Sequence, residues 1–175
     1  MDVPCITIHK KQGGKMNKKV LFIVSQAIIA SLYVVLTVIV GPLSYMAIQL
    51  RFSEILILLC FYKKEYIVGL SVGCFIANLF SPMIIYDITF GLLATILSLV
   101  CISRTKNLYI AIIYPVLFNG LLVALGLKLA FELPYFISFL EVACGELIVM
   151  IIALVVFKVF ERNKKIMNLI TMSEK

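Results

Sequence analysis

Along most of this chain the apolar positions neither alternate nor recur on one helical face; they run on and stop only at short polar clusters. Apolar runs of about 20 residues mark helices that are buried on every side, as in a membrane. Val20 to Val40 is the first such run, free of charge and closed by Gly41–Pro42, which cannot comfortably continue a helix. A loop from Gly41 to Leu50 leads to two short apolar helices, Phe52 to Tyr62 and Tyr66 to Phe80, hinged by the charged turn Lys63–Lys64–Glu65. Asp87 to Ser103, Leu108 to Ala130 and Ser138 to Phe160 follow, separated by Arg104–Thr105–Lys106–Asn107 and by Phe131 to Ile137 with Pro134. The expected fold is an all-α membrane protein, a six-transmembrane-helix bundle forming a single domain over residues 16–165, with a disordered leader at 1–15 and a cytoplasmic tail at 166–175.

Composition agrees with the pattern. The chain has 175 residues, 63% hydrophobic and 14% charged, with a mean hydropathy of +1.12. Soluble domains are roughly half apolar and a quarter charged. At about 20 residues per span there is room for six helices, some short, and none for a separate soluble domain. The net charge of +7 does not mark a nucleic-acid binder, because the basic residues bracket the apolar runs instead of gathering on one face among aromatics. Fourteen of the 16 Lys and Arg residues fall on one side of the predicted bundle, and only Arg51 and Lys128 on the other. By the positive-inside rule both termini are expected in the cytoplasm. Glu54, Asp87, Glu132, Glu141 and Glu146 then lie toward the outer half, an excess of acids over bases that favours a cation.

Two further features change the picture little. The five cysteines (Cys5, Cys60, Cys74, Cys101 and Cys144) lack the close spacing of a zinc or redox site and read as small buried hydrophobes. The leader lacks a signal-peptide core, whereas Met16–Asn17–Lys18–Lys19 reads as a natural start and Gly13–Gly14 as a translated ribosome-binding sequence.

The candidate chemistry gathers around the short helices. Because both return to the same side, Gln49, Arg51, Glu54, Asn78 and Asp87 converge on one end of the bundle. Ionised groups near hydrocarbon cost several kcal/mol unless paired or wetted, so their convergence suggests a solvated, ligand-sized cavity. Local readings compete with that one. Glu54 can pair with Arg51 three residues earlier, and Glu132 with Lys128 four earlier; Asp87 can cap the helix it begins. Glu141 lies about one turn inside the last span and Glu146 about 12 Å below its outer end. Glu146 has no basic neighbour in sequence and must face the bundle interior. The buried amides Asn78 and Asn119 need partners, from another helix or from a ligand. Gly69–Leu70–Ser71–Val72–Gly73 matches the nucleophile-elbow letters, but that motif needs a strand-to-helix turn and a histidine, and the only histidine is His9 in the leader. Gly69, Gly73 and Ala77 read instead as a small-residue packing stripe. No enzyme chemistry, metal or prosthetic group is indicated.

The ordered motifs Gln49–Leu50–Arg51–Phe52–Ser53–Glu54, Gly69-x-x-x-Gly73–Cys74-x-x-Ala77–Asn78-x-x-Ser81–Pro82 and Asp87-x-x-Phe90–Gly91-x-x-Ala94–Thr95 resemble the QueT family, across nearly all of Met16 to Lys165. The resemblance implies a substrate-binding membrane subunit (S component) of an energy-coupling factor (ECF) transporter. Its substrate would be a queuosine precursor such as 7-aminomethyl-7-deazaguanine, and its partners a transmembrane coupling subunit and two cytoplasmic ATPases. Consistent with borrowed energy, the chain carries no G-x-x-x-x-G-K-[ST] loop. On that reading Glu146 or Glu141 would take the guanine-like edge, Asn78, Asn119 or Gln49 its carbonyl, and Asp87 or Glu54, beside Arg51, the aminomethyl cation. Tyr45, Phe80, Tyr86 and Tyr135 are available to cover the ring. Ala27-x-x-x-Ser31, with Ala30 on the adjoining face, resembles the Ala-x-x-x-Ala signature by which such subunits dock their coupling partner. The alternatives are an S component for another small heterocyclic or cationic solute and a stand-alone secondary transporter.

Overall fold

The computed structural model describes residues 17–41 and 50–171. The leader, Tyr45, Gln49 and residues 172–175 lie outside the described residues, and so do the expectations placed on them. Every regular element among the described residues is helical. Helix α1 (Lys18–Ile39) starts at Asn17, whose side chain accepts the Lys19 N–H at 3.1 Å and so satisfies one of the free amides of the first turn. Helix α2 (Phe52–Tyr62) is wound as a 3-10 helix over Phe52–Leu58 and relaxes into a single α-turn. Helix α3 (Tyr66–Asn78) follows the hinge, where Lys63 pairs with Glu65 at 3.2 Å.

Helix α4 (Ile84–Arg104) contains one π-helical stretch, Asp87–Gly91. Helix α5 (Leu108–Phe131) is capped by Asn107, which accepts the Tyr109 N–H at 2.9 Å, and ends at Glu132 in the left-handed region with φ 57°. Helix α6 (Tyr135–Glu161) is the longest at 27 residues, and a short helix α7 (Lys164–Thr171) closes the described chain. By length and composition α1, α4, α5 and α6 are able to cross a membrane, while α2 and α3 are shorter than a span.

Several boundaries differ from the sequence expectation: α1 begins at Lys18 instead of Val20 and α6 at Tyr135 instead of Ser138, and two others bear on the site. Helix α3 stops at Asn78, and the amides of Phe80 and Ser81 turn back to Ala77 and Asn78 at 3.1 and 3.2 Å, because Pro82 disfavours helical geometry in the residue before it. Helix α4 begins three residues before Asp87, after Ser81 Oγ has accepted the Met83 N–H at 3.0 Å. Asp87 therefore lies within the helix and caps nothing, which leaves its carboxylate free for tertiary partners.

The glycines of α3 set its approach to α1. A Cβ built on Gly69 would lie 2.8 Å from the Gln26 carbonyl oxygen, and one on Gly73 2.9 Å from the Ala30 carbonyl oxygen. Gln26 also bonds its side-chain oxygen to the Gly69 N–H at 2.8 Å. Ala30 and Ala77 are buried. The main apolar core, with Ile57, Leu58, Leu70, Leu99, Met150 and Phe157, fills the half of the bundle nearest the Lys63–Glu65 hinge. A smaller cluster of Met83, Val123, Leu127 and Val142 closes the opposite end. The outward faces carry exposed Ile, Leu, Val and Phe on every long helix, as expected of a bundle bathed in lipid.

Candidate functional site

Between the two apolar clusters lies a buried polar layer to which all six helices α1 to α6 contribute. From α1 come Tyr33 and Thr37, from the start of α2 Arg51, Ser53 and Glu54, and from α3 Cys74 and Asn78. Helix α4 and the turn before it supply Ser81, Asp87 and Thr95; α5 and α6 supply Asn119 and Glu146. On α4 the spacing Asp87, Gly91, Thr95 aligns these residues on one face, and Gly91 leaves room there. A Cβ on it would lie 3.4 Å from Arg51 Nη1 and 3.5 Å from Asp87 Oδ1.

Arg51 pairs with Asp87, not with Glu54. Its Nη2 lies 3.0 Å from Asp87 Oδ1, with the two side chains 4% and 3% exposed. The other Asp87 oxygen accepts the Ser81 hydroxyl, and the Asp87 carbonyl accepts Asn78 Nδ2 at 2.7 Å. The local Arg51–Glu54 pairing fails because α2 starts in a 3-10 turn that directs the guanidinium across to α4. Asn78 is thus bound to the backbone of the π-helical stretch that carries Asp87. Such a stretch leaves the regular helical ladder incomplete, and the amide of Asn78 fills one of the gaps.

Glu54 is fully buried and held from two sides. Tyr33 donates its phenolic proton to Oε1 at 2.5 Å. Thr95 Oγ1 lies 3.4 Å from the same oxygen and 3.1 Å from the Gly91 carbonyl. A hydroxyl has one proton, so the Tyr33 bond is the firm one. Glu54 Oε2 has no partner. Deeper along α6, Glu146 is 2% exposed, stands beside Asn119 and lies within electrostatic range of Arg51 and Glu54. Glu146 Oε1, both amide atoms of Asn119 and Arg51 Nε also lack a hydrogen bond of good geometry, although Asn119 and Glu146 stand close enough to interact with each other.

These five orphaned atoms are the chemical content of the layer. Buried polar atoms without partners each cost about 1–3 kcal/mol, and native interiors hold few of them. Here they cluster between facing helices, with acceptors on Glu54 and Glu146, a donor on Arg51 and both kinds on Asn119. Three carboxyls face one guanidinium, so the layer favours a ligand that is cationic or rich in N–H groups. Among the described residues no group of His, Cys, Asp or Glu is arranged to hold a metal ion.

The remaining predicted residues lie elsewhere. Glu141 is half-buried on α6, and Glu132 is exposed, with no ion pair to Lys128. Glu132 ends α5 in a left-handed turn, which breaks the helical i, i+4 register such a pair requires. Ala27 and Ser31 are exposed on α1 and line two shallow apolar grooves of 510 and 460 Å³; Ala30, packed against Gly73 and largely buried, borders the second of them. The Ser31 hydroxyl donates to the Ala27 carbonyl at 2.7 Å, so the groove sees a small, internally satisfied side chain. Sequence reading gave no site role to Tyr33, Thr37, Ser53 or Thr95, although Ser53 and Thr95 stand in the motifs that carry the resemblance. The available signal was their spacing: Tyr33 and Thr37, like Asp87, Gly91 and Thr95, recur at four-residue intervals on one helix face.

Residues 23–162 match the profile of a family described as QueT transporter. The chain is also 34% identical to the queuosine precursor transporter QueT of Lactococcus lactis subsp. cremoris (strain MG1363), over 140 residues covering 71% of this chain and 82% of that protein. No solved structure gives a significant match to the chain.

Proposed function

Since the chain belongs to the QueT transporter family, we propose that it is the substrate-binding membrane subunit of an ECF-type transporter that captures a queuosine precursor, 7-aminomethyl-7-deazaguanine, from outside the cell. It is a membrane protein of a transporter family. The finer reading rests on one observation, the buried layer whose five unpartnered atoms await a polar ligand.

The substrate's chemistry complements that layer. The guanine-like edge of a 7-deazaguanine presents a carbonyl beside a ring N–H and an exocyclic amine. Asn119 offers a donor for the carbonyl, and the Glu146 carboxylate accepts from the adjacent N–H groups. The aminomethyl cation goes to Glu54, whose Oε2 is open, because Arg51 and Ser81 already occupy both Asp87 oxygens. Asp87 and Asn78 then hold Arg51 and the π-helical stretch in place. A site of buried polar groups rejects analogues that leave those groups unpaired far more strongly than an apolar pocket rejects a misfit.

In this reading residues 16–165 form one six-helix membrane domain with both termini cytoplasmic, and the polar layer opens outward. The Ala27–Ser31 grooves receive a transmembrane coupling subunit, and two associated ATPases supply the energy for release inside. The test is calorimetric titration of the detergent-purified chain with 7-aminomethyl-7-deazaguanine, with guanine and riboflavin as controls. The expected result is one-to-one binding with rejection of both controls, and a loss of about 10–100-fold in affinity for Glu146→Gln, the equivalent of one or two charge-assisted hydrogen bonds. Unchanged affinity in Glu146→Gln would remove the assignment of the guanine-like edge. No binding by a folded sample would remove the queuosine-precursor reading.

A further inference from the structure

Helix α7 sits at the hinge end of the bundle and has two unlike faces. Lys164, Lys165, Asn168 and Thr171 fall on one arc of the helix, and Ile166, Met167, Leu169 and Ile170 on the other. Its start is capped by Asn163, which accepts the Lys165 N–H at 3.0 Å, and its last turn is tied to the bundle by Tyr66, whose hydroxyl donates to the Ile170 carbonyl at 2.5 Å. Ile170 packs on the main core. Leu169 does not: it is 76% exposed. It lines a groove of 260 Å³ together with Ile28, Ile29 and Leu59, and Ile28 belongs to the outward apolar face of α1. In the isolated chain the exposed leucine of α7 is therefore continuous with the outward apolar face of α1, at the edge of the Ala27–Ser31 groove that Ile28 also borders.

Among the described residues the unpaired charges around it are basic, since the neighbouring acids Glu161 and Glu65 are paired with Lys158 and Lys63. Lys165 lies one turn before Leu169 on the same side of the helix. Arg162 and Lys164 are exposed beside it. Helix α6, at 27 residues, is about 40 Å long, against a hydrocarbon core of about 30 Å, so its end and α7 emerge at the headgroup level. We propose that α7 is an interfacial anchor that binds anionic phospholipid, with Leu169 entering the acyl-chain boundary and Lys164 and Lys165 contacting the headgroup phosphates. A flexible lysine stem reaches headgroups while its helix lies at the boundary, and basic residues near an anionic surface attract it with about 1 kcal/mol each. The occupant is lipid because the groove opens onto the outward apolar face of α1 and the adjoining charge left over after the Lys63–Glu65 and Lys158–Glu161 pairs is basic.

The chain contains no tryptophan, so Leu169→Trp places a single reporter at the proposed contact. The full chain carrying this substitution is reconstituted in nanodiscs of phosphatidylcholine alone or with 30% phosphatidylglycerol, a composition of roughly physiological anionic charge. The expected result is blue-shifted emission, quenched by lipids brominated near the headgroup and resistant to acrylamide. The shift should be larger in the anionic discs, and Lys164→Gln/Lys165→Gln in the same background should abolish that charge dependence. Emission quenched by acrylamide and not by brominated lipid would place α7 in water and overturn the proposal. Emission resistant to both quenchers would place Leu169 against protein and overturn it equally. Lipid quenching independent of anionic content would overturn the headgroup assignment.

Discussion

At the scale of single residues, Asp87 decides how the layer is charged. It neutralises Arg51 at 3.0 Å, with both side chains buried. Removing one member of such a pair leaves a buried charge without compensation and costs about 3–5 kcal/mol, while removing both costs far less. Asp87→Asn is expected to lower the unfolding free energy of the detergent-solubilised chain by about 3 kcal/mol, and Arg51→Met added to it should restore much of the loss. Strictly additive losses in the double variant would mean the two groups do not interact. This pairing also marks the limit of local reading. Arg51 and Glu54, three apart, look like partners in sequence, but the geometry of α2 sends them to different helices. Glu146 was legible for the opposite reason, since an acid inside an apolar run with no basic residue near it has only the interior to face. Tyr33 and Thr95, single hydroxyls in apolar helices, became visible only once the helices were side by side.

At the scale of elements, the contact between α1 and α3 depends on two absent methyl groups. Without strong hydrophobic driving force inside a bilayer, helices associate through close packing, and Gly73 permits the backbone of Ala30 to approach within van der Waals contact. Gly73→Val would force its side chain into the Ala30 carbonyl and Tyr33 Cβ. Since Tyr33 holds Glu54, the strain should reach the polar layer. The expected outcome is a destabilisation of about 1–3 kcal/mol, the usual cost of overpacking, together with weakened substrate binding in the same titration. Full stability and binding would show that the helices can part there without consequence. The long apolar runs predicted the order of the helices and their broad extent. The start of α4 escaped prediction because Ser81 captures the Met83 amide and brings the first turn forward, a bond that no apolar pattern reveals.

At the scale of the whole molecule, two outer surfaces differ in character. The α1 face with Ala27 and Ser31 is apolar, shallow and built of small side chains, which suits another helix; the hinge end is basic, which suits a membrane surface. If the α1 grooves receive the coupling subunit, Ala27→Trp/Ser31→Trp should abolish co-purification with it and with the ATPases while leaving substrate binding by the isolated chain intact. Retention of the complex would send the search for the docking face elsewhere on the bundle.

The sharing of the polar layer among six helices also bears on how the chain is made. Arg51 leaves the ribosome 36 residues before Asp87, so for that interval a guanidinium has no carboxylate to answer it from across the bundle. Glu54 has Tyr33 of α1 from the start and gains Thr95 with α4, while Asn119 and Glu146 arrive on α5 and α6 with polar atoms still open. A chain that has inserted only α1 to α3 therefore holds Arg51 uncompensated until α4 arrives. The layer proposed to receive a solute thus also bears on insertion, and a copy that stops before α4 is left with unmatched charge in the bilayer, the kind of defect by which membrane quality control distinguishes a fragment from a completed bundle.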